Sequence, residues 1–143
     1  MKTNKEKLLH ELFEEAQNAK TRDDRIKLFK ENDTFTLRTV LQLAYNTSIE
    51  LDFPSGAPPF TANTNPTGLE PVRLKNVIKP LGNCVKDNNI AGFKKEKILI
   101  GILESIHAKD ADIIIAAKDK KLNKLYSKIT KNLVEKTFPS LVK

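Results

Sequence analysis

Two histidines, His10 and His107, one cysteine, Cys84, and the carboxylate pairs Glu14-Glu15 and Asp23-Asp24 are the side chains here best suited to bond-making chemistry. Their spacing argues against that use. The histidines stand far apart in sequence, and neither lies in a His-x-x-x-His or Cys/His pattern that would hold a metal ion. His10 is expected on the outer part of the first helix, and His107 is expected to cap a helix end. Cys84 has no histidine near it in sequence and reads as a small buried apolar residue, with no second cysteine for a disulfide. The five glycines are scattered singly, so neither a phosphate-cradling loop nor a dinucleotide fingerprint is present. The acidic pairs read as solvated helix faces. No catalytic site, metal or cofactor is expected, and the chain is expected not to be an enzyme.

Lysine is the residue whose arrangement does point to chemistry. The 143-residue chain has 25 Lys+Arg against 18 Asp+Glu, a formal charge of +7, and the excess is uneven. Residues 1–53 carry net −1, residues 54–106 net +3, and residues 107–143 net +5. Within the last part, Lys118, Lys120, Lys121, Lys124, Lys128 and Lys131 fall in fourteen residues with Asp119 as the sole acid among them. Lysines around a helix start place cations beside free backbone amides, which suits phosphate. Ser127 and Thr130 add hydroxyls, and Tyr126 adds an aromatic face. Together they fit contact with a nucleic-acid backbone that fixes register without reading bases. The plainer alternative is a solvated loop that keeps the protein in solution. Arg73, Lys75, Lys79, Lys86, Lys94, Lys95 and Lys97 are candidates to extend the same face.

The elements that would position these residues are helical. Leu8, Leu9, Leu12, Phe13 and Ala16 recur at three- and four-residue spacing and predict a helix from about Lys5 to Ala19. Thr21, with Asp24 three residues on, starts a second helix carrying Ile26, Leu28 and Phe29. Asn32-Asp33-Thr34 ends it and caps a third, from about Phe35 to Tyr45, that buries Leu37, Val40, Leu41 and Ala44. Five of the seven prolines then fall in 46–71, which reads as an extended loop. Phe53, Phe60 and Leu69 are spaced along it, either to pin it to the body or to anchor a partner. Val72, Leu74, Val77, Ile78 and Leu81 mark a fourth helix that Pro80 should kink or end. A fifth runs from about Phe93 to Ile106, and a sixth starts near Lys109 and buries Ile113, Ile114 and Ala117. After a lysine-rich connection, a last helix is expected from Thr130 to Phe138, stopping at Pro139. No stretch alternates with period two, so the fold class is all-α: a single domain, 1–143, of six to seven short helices. The apolar runs are too short to cross a bilayer, and no signal peptide is recognised, so a cytoplasmic protein with no membrane partner is expected.

The order of helices resembles the N-terminal helical DNA-binding domain of phage ATP-dependent DNA ligases. The blocks that carry the likeness are Leu9 to Ala16, Arg25 to Asn32, Leu37 to Tyr45 and the closing Phe138-Pro139-Ser140-Leu141. The nucleotidyltransferase domain and the Lys-x-Asp-Gly motif of a ligase are both missing, so the resemblance implies a DNA-gripping module alone, with the grip falling on Lys118 to Lys131. A closer resemblance is to a family of small uncharacterised proteins of tailed, cyanophage-type phages of marine bacteria. It rests on Pro54 to Phe60, Leu103 to Ala111 and Leu133 to Pro139.

One expectation and one rival follow. The expectation is a non-catalytic phage accessory protein that holds duplex DNA by its phosphates through Lys118, Lys120, Lys121, Lys124, Ser127, Lys128, Thr130 and Lys131, in the cytoplasm of an infected host. The rival is a protein that binds a phage or host protein, or that sits in the virion, using Phe53, Phe60 and Leu69.

Overall fold

The computed structural model describes residues 8–53, 56–61, 74–85 and 89–142. The described residues are helical, as the spacing predicts, and contain no strand, only one isolated antiparallel bridge between Leu51 and Val85. α1 spans Leu9–Asn18, α2 Arg22–Glu31 and α3 Phe35–Tyr45. α4 is a single turn, Leu74–Val77, followed by a 3₁₀ segment, Lys79–Cys84. α5 spans Gly92–Ser105, α6 Ala108–Lys118, α7 Leu122–Leu125 and α8 Lys131–Thr137, and a last 3₁₀ turn covers Pro139–Leu141.

Three of these helices begin the same way. A threonine just before the first turn accepts an amide otherwise left without a partner: Thr21 from Asp24, Thr34 from Leu37 and Thr130 from Leu133, each at 3.1 Å. Pro80 acts as the sequence implies, since α4 ends before it and the chain tightens into the 3₁₀ segment. α7 is the element the sequence hides. It lies inside the lysine-rich connection, and of its four residues only Leu122 is buried, so no apolar period can show.

One core joins the helices. α3 and α5 both pack on α6, α1 packs on α2 and α6, and α8 closes against α2 and α3. Phe13, Phe29, Leu37, Leu41, Leu99, Leu103, Ile113 and Ile114 are shut off from water. Phe13 sits between two rings, 6.0 Å from Phe29 and 5.5 Å edge-on to Tyr126, a favourable aromatic geometry that links α1 to α2 and to the end of α7.

Helix C-termini leave carbonyls without partners, and here basic side chains from elsewhere in the chain supply them. Arg25 is buried on α2, and its guanidinium donates to Ala16 O at 2.9 Å and Ala19 O at 2.7 Å, closing α1. Lys95 is buried on α5 and donates to Val85 O at 2.9 Å, just beyond the 3₁₀ segment, while pairing with Asp52 at 3.1 Å.

The described part of the Pro-rich loop is held down. The Gly56 amide donates to Asp119 Oδ2 at 2.8 Å, and the Thr61 amide to Glu104 Oε2 at 2.6 Å. Gly56 has φ +92°, a backbone region that favours glycine, so the turn depends on it. Phe53 and Phe60 lie half-buried against the core. Leu69, the third anchor proposed from sequence, is outside the described residues.

Candidate nucleic-acid interface

The segment that carries the lysines starts at the end of α6, in a Schellman turn. Lys120 N–H bonds to Ala117 O at 3.1 Å, and Lys121 N–H to Ala116 O at 2.8 Å. The position that glycine usually takes in this motif is Lys120, at φ +60°. Its side chain folds back, and Nζ donates to the carbonyls of Leu43, Asn46 (3.1 Å) and Ile49, where α3 ends. Burial lowers the pKa of this ammonium, with Glu50 opposing the shift.

Beyond the turn, the chain alternates between the core and water. Leu122, Tyr126 and Ile129 point inward, whereas Lys121, Lys124, Ser127, Lys128, Thr130 and Lys131 are exposed. Other elements hold the backbone in place. The Tyr45 hydroxyl donates to Ile129 O. Gln17 of α1 spans the turn, its Nε2 donating to Ser127 Oγ at 3.0 Å while its Oε1 accepts from Lys128 N–H at 2.9 Å. Arg22, at the start of α2, donates to Asn132. The α1–α2 connection between these two contacts carries exposed Lys20.

The eight residues proposed from sequence therefore divide. Lys121, Lys124, Ser127, Lys128, Thr130 and Lys131 share an outward-facing segment. Lys118 and Lys120, expected on the same face, turn inward instead. Lys118 is buried, with Nζ 2.6 Å from Asp119, and Lys120 is committed to the end of α3. Both are long chains at a helix C-terminus, where inward carbonyls and carboxylates compete with solvent for the ammonium. The Tyr126 ring is likewise packed on Phe13 rather than offered for stacking, and burial pushes its hydroxyl up to about 12. The α8 start adds little field of its own, since the helix has only seven residues and Thr130 already accepts the Leu133 amide. The lysines are the charge of this surface.

Arg22, Lys20 and Gln17 were not legible as part of it. Gln17 and Arg22 lie about 110 positions from the residues they bond to, and no local pattern encodes that meeting; Lys20 is the exposed lysine between them. Of the basic residues proposed to extend the face, Lys95 is buried in an ion pair, and Arg73 and Lys86 lie outside the described residues. Lys75, Lys79, Lys94 and Lys97 are exposed on α4, the 3₁₀ segment and α5, the 3₁₀ segment packing on both helices.

His10 is not on an outer face. It is buried beside Asp110 and stacked on His107, with ring centroids 4.2 Å apart. His107 does cap a helix, but by its ring: Nδ1 accepts from Lys109 N–H at 3.0 Å and starts α6. Cys84 is buried, as its type suggests, and burial raises its thiol to about 11. A crevice among α1, α3 and α4, with Asp110 in its lining, measures about 40 Å³, far below the roughly 300 Å³ at which small-molecule pockets begin. Among the described residues no group of three metal-ligating side chains occurs, and no helix is long and apolar enough to cross a membrane.

A family match covers residues 12–124, from the first helix to Lys124 on α7. The chain belongs to the Family of unknown function (DUF6433). The match takes in the His10 partners Asp110 and His107 and the Lys120 turn, and it stops short of Ser127 to Lys131. No curated protein and no solved structure matches the chain.

Proposed function

We propose that this DUF6433 protein is a non-catalytic nucleic-acid-binding protein that grips the backbone of duplex DNA without reading its sequence. The observation that carries the reading is the display of Lys121, Lys124, Lys128 and Lys131 on one exposed segment with no acidic residue between them. Their backbone is fixed by buried Leu122, Tyr126 and Ile129, so the cations are arranged before a polyanion arrives and less ordering entropy opposes binding. Ser127 and Thr130 keep hydroxyl protons for phosphate oxygens, since both already use their oxygens as acceptors within the fold. Arg22, exposed at the start of α2 and bonded to Asn132, stands at the edge of this surface, outside the four-lysine display. In the setting implied by the resemblance to tailed-phage proteins, the role is accessory, in replication, repair or genome handling inside the infected cell.

A duplex titrated at several salt concentrations tests this reading. Affinity should fall with salt, with a log–log slope of about −0.9 for each phosphate neutralised, which for four lysines gives about −3.6. Replacing Lys121, Lys124 and Lys128 by Gln should flatten the slope to about −1 while scrambled duplexes continue to bind alike. Absence of binding at low salt, or a slope unchanged in the triple variant, overturns it. The rival reading, a protein partner taken by the Pro-rich loop, has less support, because Phe53 and Phe60 are packed against the core.

A further inference from the structure

Among the described residues, α5 carries an outer face that is largely exposed, with only Ile100 half-buried along it. Its inner side, Lys95, Leu99, Ile102 and Leu103, is buried, and the opposite stripe runs Phe93, Lys97, Ile100, Gly101 and Glu104. Phe93 is 68% exposed, the most exposed of the large hydrophobics on the described surface. Gly101 is the second oddity. A glycine inside an exposed helix costs about 1 kcal/mol relative to alanine. Close packing within the chain does not explain it, because a Cβ built there meets nothing within 4 Å. The stripe is also self-complementary in charge. Lys97 and Glu104 lie seven residues apart, two helical turns, on the same line and on either side of Ile100-Gly101.

We infer that α5 pairs with α5 of a second copy of this chain, antiparallel about a two-fold axis passing between Ile100 and Gly101. In an isologous contact each residue meets its mirror position. An axis at that point sets Lys97 against the partner's Glu104 and Glu104 against the partner's Lys97, with Ile100 against the partner's Gly101. Glycine at the crossing lets the two backbones approach, which gives the missing Cβ a reason. Phe93 then falls over the partner's turn between α5 and α6, near the partner's Ala108, and loses its exposure to water. Glu104 is exposed and can serve both contacts, since the Thr61 amide takes Oε2 and a carboxylate has a second acceptor oxygen for the partner's Lys97. The inference stands apart from the proposed DNA contact, which uses other elements.

Sedimentation velocity of the full chain from micromolar to millimolar concentration tests it. The wild type should show a concentration-dependent dimer. Lys97→Glu and Glu104→Lys should each weaken it by about tenfold or more, because the two-fold axis repeats every substitution and turns two attractive pairs repulsive. The double variant should restore association to within a few-fold of wild type. Gly101→Gln should abolish the dimer while raising the melting temperature of the monomer, since it removes a helix-interior glycine. A wild type that stays monomeric throughout overturns the inference. So does a Gly101→Gln variant that still dimerises, or a double charge swap that fails to recover what the single swaps lose.

Discussion

Asp110 and His10, one hundred residues apart, meet through a single oxygen: Asp110 Oδ1 accepts the His10 backbone N–H and the ring Nδ1–H, both at 2.8 Å. Both side chains are nearly inaccessible, and the contact ties the first turn of α1 to the first turn of α6. It also fixes the His10 tautomer and the ring plane against which His107 stacks.

Asp110→Ala leaves two buried donors without an acceptor and is expected to cost about 2–4 kcal/mol. Asp110→Asn keeps one acceptor oxygen and should cost less. Urea unfolding followed by circular dichroism measures both. An Asp110→Ala cost below about 0.5 kcal/mol would show that water replaces the carboxylate.

Lys120 sets backbone strain against side-chain bonds. A non-glycine residue at positive φ costs about 1 kcal/mol or more, whereas the ammonium supplies donors to three carbonyls at the end of α3. The expected stability order is wild type, then Lys120→Gly, then Lys120→Ala, with the last two separated by about 1 kcal/mol. Urea midpoints provide the order. Lys120→Gly should leave the salt slope of DNA binding unchanged, because this ammonium points inward; Lys124→Gln should do the reverse, lowering the slope and sparing stability.

Alkaline pH should unfold the protein gradually. Burial raises Cys84 from 9.0 to about 11 and Tyr45 and Tyr126 from 10.0 to about 12, and all three are neutral when protonated. Each therefore keeps its proton longer in the folded chain than in the unfolded one. That contribution is complete below the unfolded value and is lost as pH rises through the folded value. Lys120 works the other way, since its lowered pKa makes the folded chain release a proton first. Three groups outweigh one, so urea midpoints should fall from about pH 9 towards pH 12. Cys84→Ala should delay the onset by removing the earliest titration. A flat profile between pH 9 and pH 11 would contradict the burial of that thiol.

Phe13→Ala should be among the costliest core changes, about 3–5 kcal/mol, because the ring is fully buried between Phe29 and Tyr126. Amide exchange should also quicken across 126–131, where Tyr126 is one of the groups pinning the backbone. If exchange there stays at the wild-type rate, Gln17 and Tyr45 suffice to hold the segment.

The helices themselves are legible because local signals suffice for them. Threonine caps, the three- and four-residue spacing of Leu, Ile and Phe, and the breaks at Pro80 and Pro139 act within a turn or two of chain. Four-residue α7 falls below that threshold. It owes its shape to Leu122 and to the Schellman turn before it, with no periodic pattern of its own. The placement of Phe53 and Phe60 remained open for a related reason, since an aromatic in a proline-rich stretch has the same sequence whether it packs inward or faces a partner.

The sequence by itself determined an all-α chain with its positive charge concentrated towards the C-terminus. Only the tertiary structure decided which of those charges face water. Arg25, Lys95 and Lys120 turn to helix-end carbonyls, and Lys118 to Asp119, while Lys121, Lys124, Lys128 and Lys131 stay outside. The reason is that a lysine's formal charge is local, but the partner that claims it is set by packing. Carbonyls left open at the end of one helix are met by side chains from residues as far as 77 positions away, and no reading of neighbours along the chain contains that distance.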